Sequence, residues 1–246
     1  PARASVAYSI LKTARAAVVE VTKKIPSTLG THAHIHVDQA TCICEQDYDV
    51  PVLPNIPITD VEKQIASHIV ERIPDGATVQ LGFGGIANAV GFFLENKKDL
   101  GVHTEMLTDS MMDLTKKGVI NGKYKEYYPG KITYGFGVGS KELYEFMHRN
   151  PMLESMPIHF INDINNIAMN DNFISINNAL TVDLTGQVCS ESIGFNMFSS
   201  TGGQLDFVRG AHRSKGGKSF IALTSMSVGK SGPINRISAT LQPGTV

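Results

Sequence analysis

Apolar and polar residues follow two different regimes along this chain, divided by a proline-rich stretch. Before the divide, residues 4–14 read as the end of a helix. Residues 17–21 (AVVEV) form the short apolar run of a buried strand, and residues 32–37 alternate, which predicts another strand. Residues 45–57 (EQDYDVPVLPNIP) hold three prolines and no helical period, so they read as a linker. Beyond it, apolar runs and amphipathic stretches take turns. Thr59, with Glu62 three residues on, forms a capping box. The helix it opens puts Val61, Ile65, Ile69 and Val70 on one face, and Pro74 to Gly76 end it. A strand over 78–81, a glycine turn and a helix over 87–96 come next. Then come a strand over 103–107, a helix over 111–117, a strand over 131–136 and a helix over 141–149. Beyond Pro157 strands are expected to dominate, for example over 173–176, 180–183 and 220–222. This alternation predicts an α/β fold: an open, mainly parallel, twisted sheet with helices on both faces.

Composition narrows the function classes. The chain has 246 residues, of which 42% are hydrophobic, enough for a substantial core in one or two domains. A net charge of −1 gives no electrostatic case for nucleic acid or an anionic membrane surface. Apolar runs fall short of the roughly 20 residues that span a bilayer. Trp is absent, which leaves little for base stacking. Three cysteines (Cys42, Cys44 and Cys189) make no disulfide framework, so a reducing compartment, the cytoplasm, is expected. The chain starts at Pro1 without an initiator Met and stops at Val246 without a closing element. It reads as a piece of a longer protein.

Two glycine turns and one carboxylate carry the chemistry. Residues 80–90 (QLGFGGIANAV) read as a strand, a turn and the start of a helix. Gly82, Gly84 and Gly85 let a ligand approach the backbone, whose amides can donate to an oxyanion. A full dinucleotide fingerprint would need glycine at position 87, which is Ala87. Residues 101–106 (GVHTEM) form the next strand, with Glu105 near its C-terminal end. In open α/β sheets ligands bind at that edge. A second turn, at Thr201, Gly202 and Gly203, leads into an apolar stretch of strand or helix, where Asp206 and Arg209 could form a local ion pair. The plain alternatives are two tight turns and an exposed glutamate. Cys189 and Glu191, in CSES, offer a rival nucleophile. Gly217, Lys218 and Ser219, and Gly229, Lys230 and Ser231, look like P-loop endings, but His212 and Thr224 stand where the first glycine is required. His32, His34 and His36, followed by Cys42 and Cys44, match no standard zinc spacing, and no metal is expected.

The segments QLGFGGIANAV, GVHTEM, INNALTVDLTGQV and STGGQLDFVRGA, in this order, resemble the acetyl-CoA hydrolase/transferase family. The resemblance covers nearly the whole chain and is strongest to 4-hydroxybutyrate and butyryl-CoA:acetate CoA-transferases. It implies a CoA-transferase-like fold. Residues 1–50 would be the last part of the N-terminal domain, 51–57 the linker, and 58–246 most of the C-terminal domain. It implies Glu105 as nucleophile and an oxyanion hole from backbone amides of both turns, near Phe83, Gly84 and Gly85 and near Gly202 and Gly203. Asn177 matches an asparagine placed near the acyl or carboxylate group. In the transferase subgroup the Glu191 position can carry Asp, which argues against Glu191. A further glutamate of some relatives would lie beyond this chain. Acyl-CoA and a carboxylate would be the substrates, with no cofactor besides the coenzyme A thioester itself. The partners implied are a second copy in a homodimer and the complementary segments of the same protein, without nucleic acid or membrane. A hydrolase using the same glutamate and a non-catalytic CoA- or nucleotide-binding module are the alternatives.

Overall fold

A six-stranded parallel sheet with helices packed on both faces positions everything described below. The structure is a computed structural model and describes residues 6–53, 57–229 and 232–245. Helix α1 (Ala7–Thr13) precedes a parallel pair, β1 (Val18–Val21) and β2 (Cys42–Glu45). Residues 46–53 carry no helix or strand. Then come α2 (Asp60–Val70), β3 (Thr78–Leu81), α3 (Gly85–Phe93), β4 (Gly101–Leu107), α4 (Asp109–Lys116), β5 (Ile132–Gly137) and α5 (Lys141–Met147). Strand β6 (Leu153–Ser155), helices α6 (Ile158–Ile161) and α7 (Ile164–Ala168), and β7 (Phe173–Asn178) follow. Short strands β8 (Thr181–Asp183), β9 (Val188–Cys189), β10 (Ser192–Ile193) and β11 (Asn196–Met197) lead to α8 (Gln204–Arg213) and β12 (Lys218–Ala222). Strands β13 (Met226–Gly229), β14 (Gly232–Asn235) and β15 (Ile237–Ser238) come last.

The large sheet runs β12-β7-β3-β4-β5-β6, and every neighbouring pair is parallel. The chain moves outward from β3 to β6, then returns to the other side of β3 to lay down β7. That reversal puts a topological switch point between β3 and β7, the place where open α/β sheets bind ligands. Alternate residues of one strand feed opposite faces. Val102 and Ile174 join a core with Ile69, Val90, Met111 and Leu143 from α2 to α5. Phe173 joins Ile161, Ile167, Phe207 and Ala211 from α6 to α8.

Three expectations fail on this fold. Residues 32–37 are not a strand. His32 sits at φ 58°, stacked on Tyr8, and only a short 3-10 turn, Val37–Gln39, follows. Their alternation reflects a surface segment whose His36 caps that turn by accepting from the Asp38 amide. Among the described residues no group of three His, Cys, Asp or Glu is placed to hold a metal ion. Val61 is 53% exposed, because α2 meets the core through Ala66, Ile69 and Val70 further along. Residues 17–21 do form a strand, β1, paired with β2, but not a buried one: Val18 is 67% exposed. Beyond Pro157 strands predominate as expected, with three helices (α6, α7 and α8) among them. The second face of the sheet needs its own helical cover, and these supply it. The remaining boundaries shift only at the ends. Lys230 and Ser231 of the second P-loop-like ending, and part of the first helix stretch, lie outside the described residues.

Candidate active site

Strand β4 is buried from Gly101 to Thr104 and emerges at Glu105. Its pairing with β3 ends at Val79 and Val102, so the two strands part before Glu105 and leave an opening at the sheet edge. Burying a carboxylate without partners is costly. Glu105 has one: Asn162 donates from Nδ2 to its Oε2 at 3.2 Å. Asn162 caps the C-terminus of α6, where its own amide bonds the Ile158 carbonyl at 2.8 Å. Asn162 Oδ1 is buried without a partner among the described residues.

The second glycine turn closes on the same carboxylate. Gly203 is the N-cap of α8, and a Cβ there would overlap Glu105 Oε2 and the Asn162 amide. Its φ of −85° is ordinary, so the space and not the dihedral demands glycine. Gly202 has open space on its Cβ side. Asp206, in the first turn of α8, has its carboxyl pushed up by burial, opposed by the Asn162 side chain and by the charge of Arg209. Asn162 thus lies between two carboxylates.

The first turn is glycine for a different reason. Gly84 sits at φ 117° and ψ −178°, a region that L side chains rarely adopt. Gly85 needs space, since a Cβ would overlap the Glu62 carboxylate. Glu62 is held by the capping box: its Oε2 accepts from the Thr59 amide and hydroxyl, both at 2.8 Å. The Phe83 side chain is 58% exposed, and its carbonyl accepts from Asn178 Nδ2 at 2.7 Å. Asn178 therefore clamps the turn across the switch point. Asn177 does something else. Its amide and that of Gln80 exchange two hydrogen bonds of 3.1 Å, tying β7 to β3. Both α3 and α8 lack a side-chain cap, unlike α2, α5 and α7. Their first-turn N–H groups carry the positive end of the helix dipole.

The rival nucleophiles have other duties. Cys189 is buried, with Sγ 3.1 Å from the Ser192 carbonyl. Glu191 accepts from the Thr201 hydroxyl at 3.0 Å, and its carbonyl accepts from the amides of Phe198 and Ser199. It braces the loop into the second turn. Lys218 of the first P-loop-like ending donates to the Arg72 carbonyl at 2.8 Å. A groove of about 390 Å³ runs beside the first turn, lined by Phe83, Phe92, Asp109, Ser110, Ser140 and Glu142 among others; Glu105 does not line it.

Sequence reasoning missed Asn162 and Asn178. Asn178 was within reach, as the neighbour of Asn177 in the INNAL segment, and strand alternation separates their roles. Nothing near Asn162 in sequence marks it, because its partner lies 57 residues away.

The succinyl-CoA:cyclohexane-1-carboxylate CoA transferase of Geobacter metallireducens is 47% identical over 242 residues, covering 98% of this chain and 55% of that protein. The chain belongs to the acetyl-CoA hydrolase/transferase family. The model of that family's C-terminal domain matches residues 139–246. The 4-hydroxybutyrate coenzyme A transferase of Clostridium kluyveri is likewise 47% identical, over 95% of this chain and 54% of its own length. A solved structure of a 4-hydroxybutyrate CoA-transferase from Porphyromonas gingivalis superposes with a TM-score of 0.86 at 40% identity, covering 99% of this chain and 58% of that one. The chain thus spans about half the length of the relatives it matches. Among the described residues no helix is long and apolar enough to cross a membrane.

Proposed function

We propose that the whole protein is a CoA-transferase that moves coenzyme A between a short-chain acyl-CoA and a carboxylate, through a thioester on Glu105. The observation that carries this reading is the Glu105 carboxylate, held by Asn162 against Gly203 at the start of α8. The names of the relatives support the substrate class: acyl-CoA donors with acetate-, butyrate- or 4-hydroxybutyrate-type acceptors.

A Glu105 oxygen attacks the thioester carbonyl, and the tetrahedral intermediate expels CoA thiolate to leave an acyl-glutamyl anhydride. The thiolate attacks the glutamyl carbonyl, which releases the free carboxylate and forms glutamyl-CoA. An incoming carboxylate attacks that thioester and expels CoA thiolate again. The thiolate then takes the new acyl group, and Glu105 is regenerated. This is covalent catalysis that splits one difficult step into easier ones.

The tetrahedral oxyanion is the demanding species, and one preorganised donor contributes about 2.7–4 kcal/mol where measured. Backbone amides near Phe83, Gly84 and Gly85 and near Gly202 and Gly203 are the donors in this reading. Asn178 orients the first set through the Phe83 carbonyl. For Asn177 to meet the acyl or carboxylate group, its amide would turn away from Gln80. The reading includes a homodimer and a cytoplasmic setting, the latter in keeping with three free cysteines.

Incubating the whole protein with acyl-CoA and no acceptor is expected to add the mass of coenzyme A, less one water, to the Glu105 peptide. Borohydride should then inactivate it, whereas borohydride alone should not. A hydrolase would accumulate less adduct because water drains it, and a passive binder would form none. Label on Cys189 or Glu191 would overturn the assignment.

Asn162→Ala is expected to lower kcat about ten- to a hundredfold, because a hydrogen bond to a charged group contributes roughly 1.5–3 kcal/mol. Steady-state exchange on a variant with an unchanged circular dichroism spectrum measures this.

A further inference from the structure

We propose that His103 is a positioning residue for Glu105: its ring braces the end of α6 that carries Asn162, and so sets where the carboxylate points. The inference rests on Glu105 being the nucleophile. His103 and Glu105 are two residues apart on β4, so their side chains leave the same face of the strand. His103 is fully buried beneath the site.

Both ring nitrogens are engaged. Nε2 lies 2.7 Å from the Ile161 carbonyl, and Nδ1 lies 2.9 Å from the Thr133 hydroxyl on β5. A carbonyl can only accept, so Nε2 carries the proton. Burial, with the Lys125 charge nearby, pushes the imidazole down to about 3. The ring is therefore neutral, and Nδ1 accepts from Thr133. The tautomer is set by these two partners.

The brace reaches the nucleophile in one step. Ile161 is the last residue of α6, and the next residue, Asn162, donates to Glu105. The same ring packs against Phe173 on β7 and Phe207 on α8, with centroids 6.1 and 6.2 Å away. Phe207 lies in the first turn after Gly203, whose carbonyl accepts from the Phe207 amide at 3.0 Å. One side chain thus touches the elements that carry Asn162 and Gly203. An apolar residue could fill the space, but it would leave the Ile161 carbonyl without its donor. Glutamine keeps a donor near the Nε2 position.

The test uses the whole protein with His103→Met, His103→Gln, Asn162→Ala and the double variants. His103→Met is expected to lower kcat, and the rate of CoA adduct formation, at least about tenfold, with KM for acyl-CoA unchanged; His103→Gln is expected to stay within about threefold of wild type. Because His103 acts through Asn162, His103→Met should cost little more in the Asn162→Ala background. Additive losses, equal losses in the Met and Gln variants, or adduct formation at the wild-type rate in His103→Met would overturn the proposal. If His103→Met does not fold, Thr133→Val, which removes the hydroxyl that holds Nδ1 and so frees the ring to shift off the Ile161 carbonyl, enters the same cycle under the same criteria. A crystal structure of the Met or Val variant gives a readout independent of turnover. Asn162 Nδ2 should have left hydrogen-bonding range of Glu105, and an unchanged contact would overturn the proposal. Absence of any adduct on the wild-type protein would instead remove the reading of Glu105 as nucleophile, and the crystallographic arm would still decide the brace.

Discussion

Glu105→Ala is expected to reduce CoA exchange by on the order of 10⁴-fold or more, the scale on which covalent enzymes lose turnover when the nucleophile is removed. Glu191→Ala is expected to stay within about tenfold of wild type, since it removes one hydrogen bond to a neutral hydroxyl. The contrast follows from what each carboxylate touches. Glu105 stands where β3 and β4 part, with Asn162 on one oxygen and Gly203 against it. The Glu191 side chain holds only the Thr201 hydroxyl, while its backbone carbonyl, which alanine keeps, holds the amides of Phe198 and Ser199, so the loop that leads to Gly203 stays largely in place. Steady-state exchange on both variants, with circular dichroism to show that each is folded, measures the difference. Comparable losses in two folded variants would take the nucleophile's role away from Glu105.

The second large effect concerns the α8 turn. Gly203→Ala is expected to lower turnover about a hundredfold and Gly203→Val further, with the thermal midpoint changed by only a few degrees. A Cβ at that position competes for the space of the Glu105 carboxylate and the Asn162 amide, and a misplacement near 1 Å can cost about 10²-fold. The backbone itself is unstrained at φ −85°, so the sheet should tolerate the change. Gly202→Ala, at the neighbouring residue but facing open space, keeps its backbone amide, serves as the control and is expected to keep most of its activity. At Gly84 the outcome differs in kind. There φ is 117°, so a side chain strains the backbone, and stability and turnover should fall together. Near-wild-type exchange by Gly203→Ala would show that the second turn is only structural.

Much of this arrangement is local, and local patterns survive in a sequence. The capping box of Thr59 and Glu62 depends on residues three apart, and it forms as read. The strand, glycine turn and helix over residues 78–93 likewise follow from a short apolar run meeting glycines. The same logic misled at His32, His34 and His36. Alternation alone cannot tell a strand from an irregular surface segment when no neighbour pairs with it. Val61 has helical spacing but lies in the first turn of α2, short of the core that takes Ala66, Ile69 and Val70. Past Pro157 the helices are short, at four and five residues for α6 and α7, too few for a period to register.

By itself the sequence determined the α/β alternation, the two glycine turns, and Glu105 at a strand end, because each is set by contacts within one turn or one strand. Only the tertiary structure decided what surrounds that carboxylate. Asn162 comes from α6 and Gly203 from the start of α8, while His103 reaches α6, β5 and α8 through a single ring. It also separated two glycines that read alike, Gly84 needed for its dihedral and Gly203 for its space. Residue type records that a side chain is missing, but whether the backbone turns or a neighbour fills the gap depends on the packing of segments far apart in the chain.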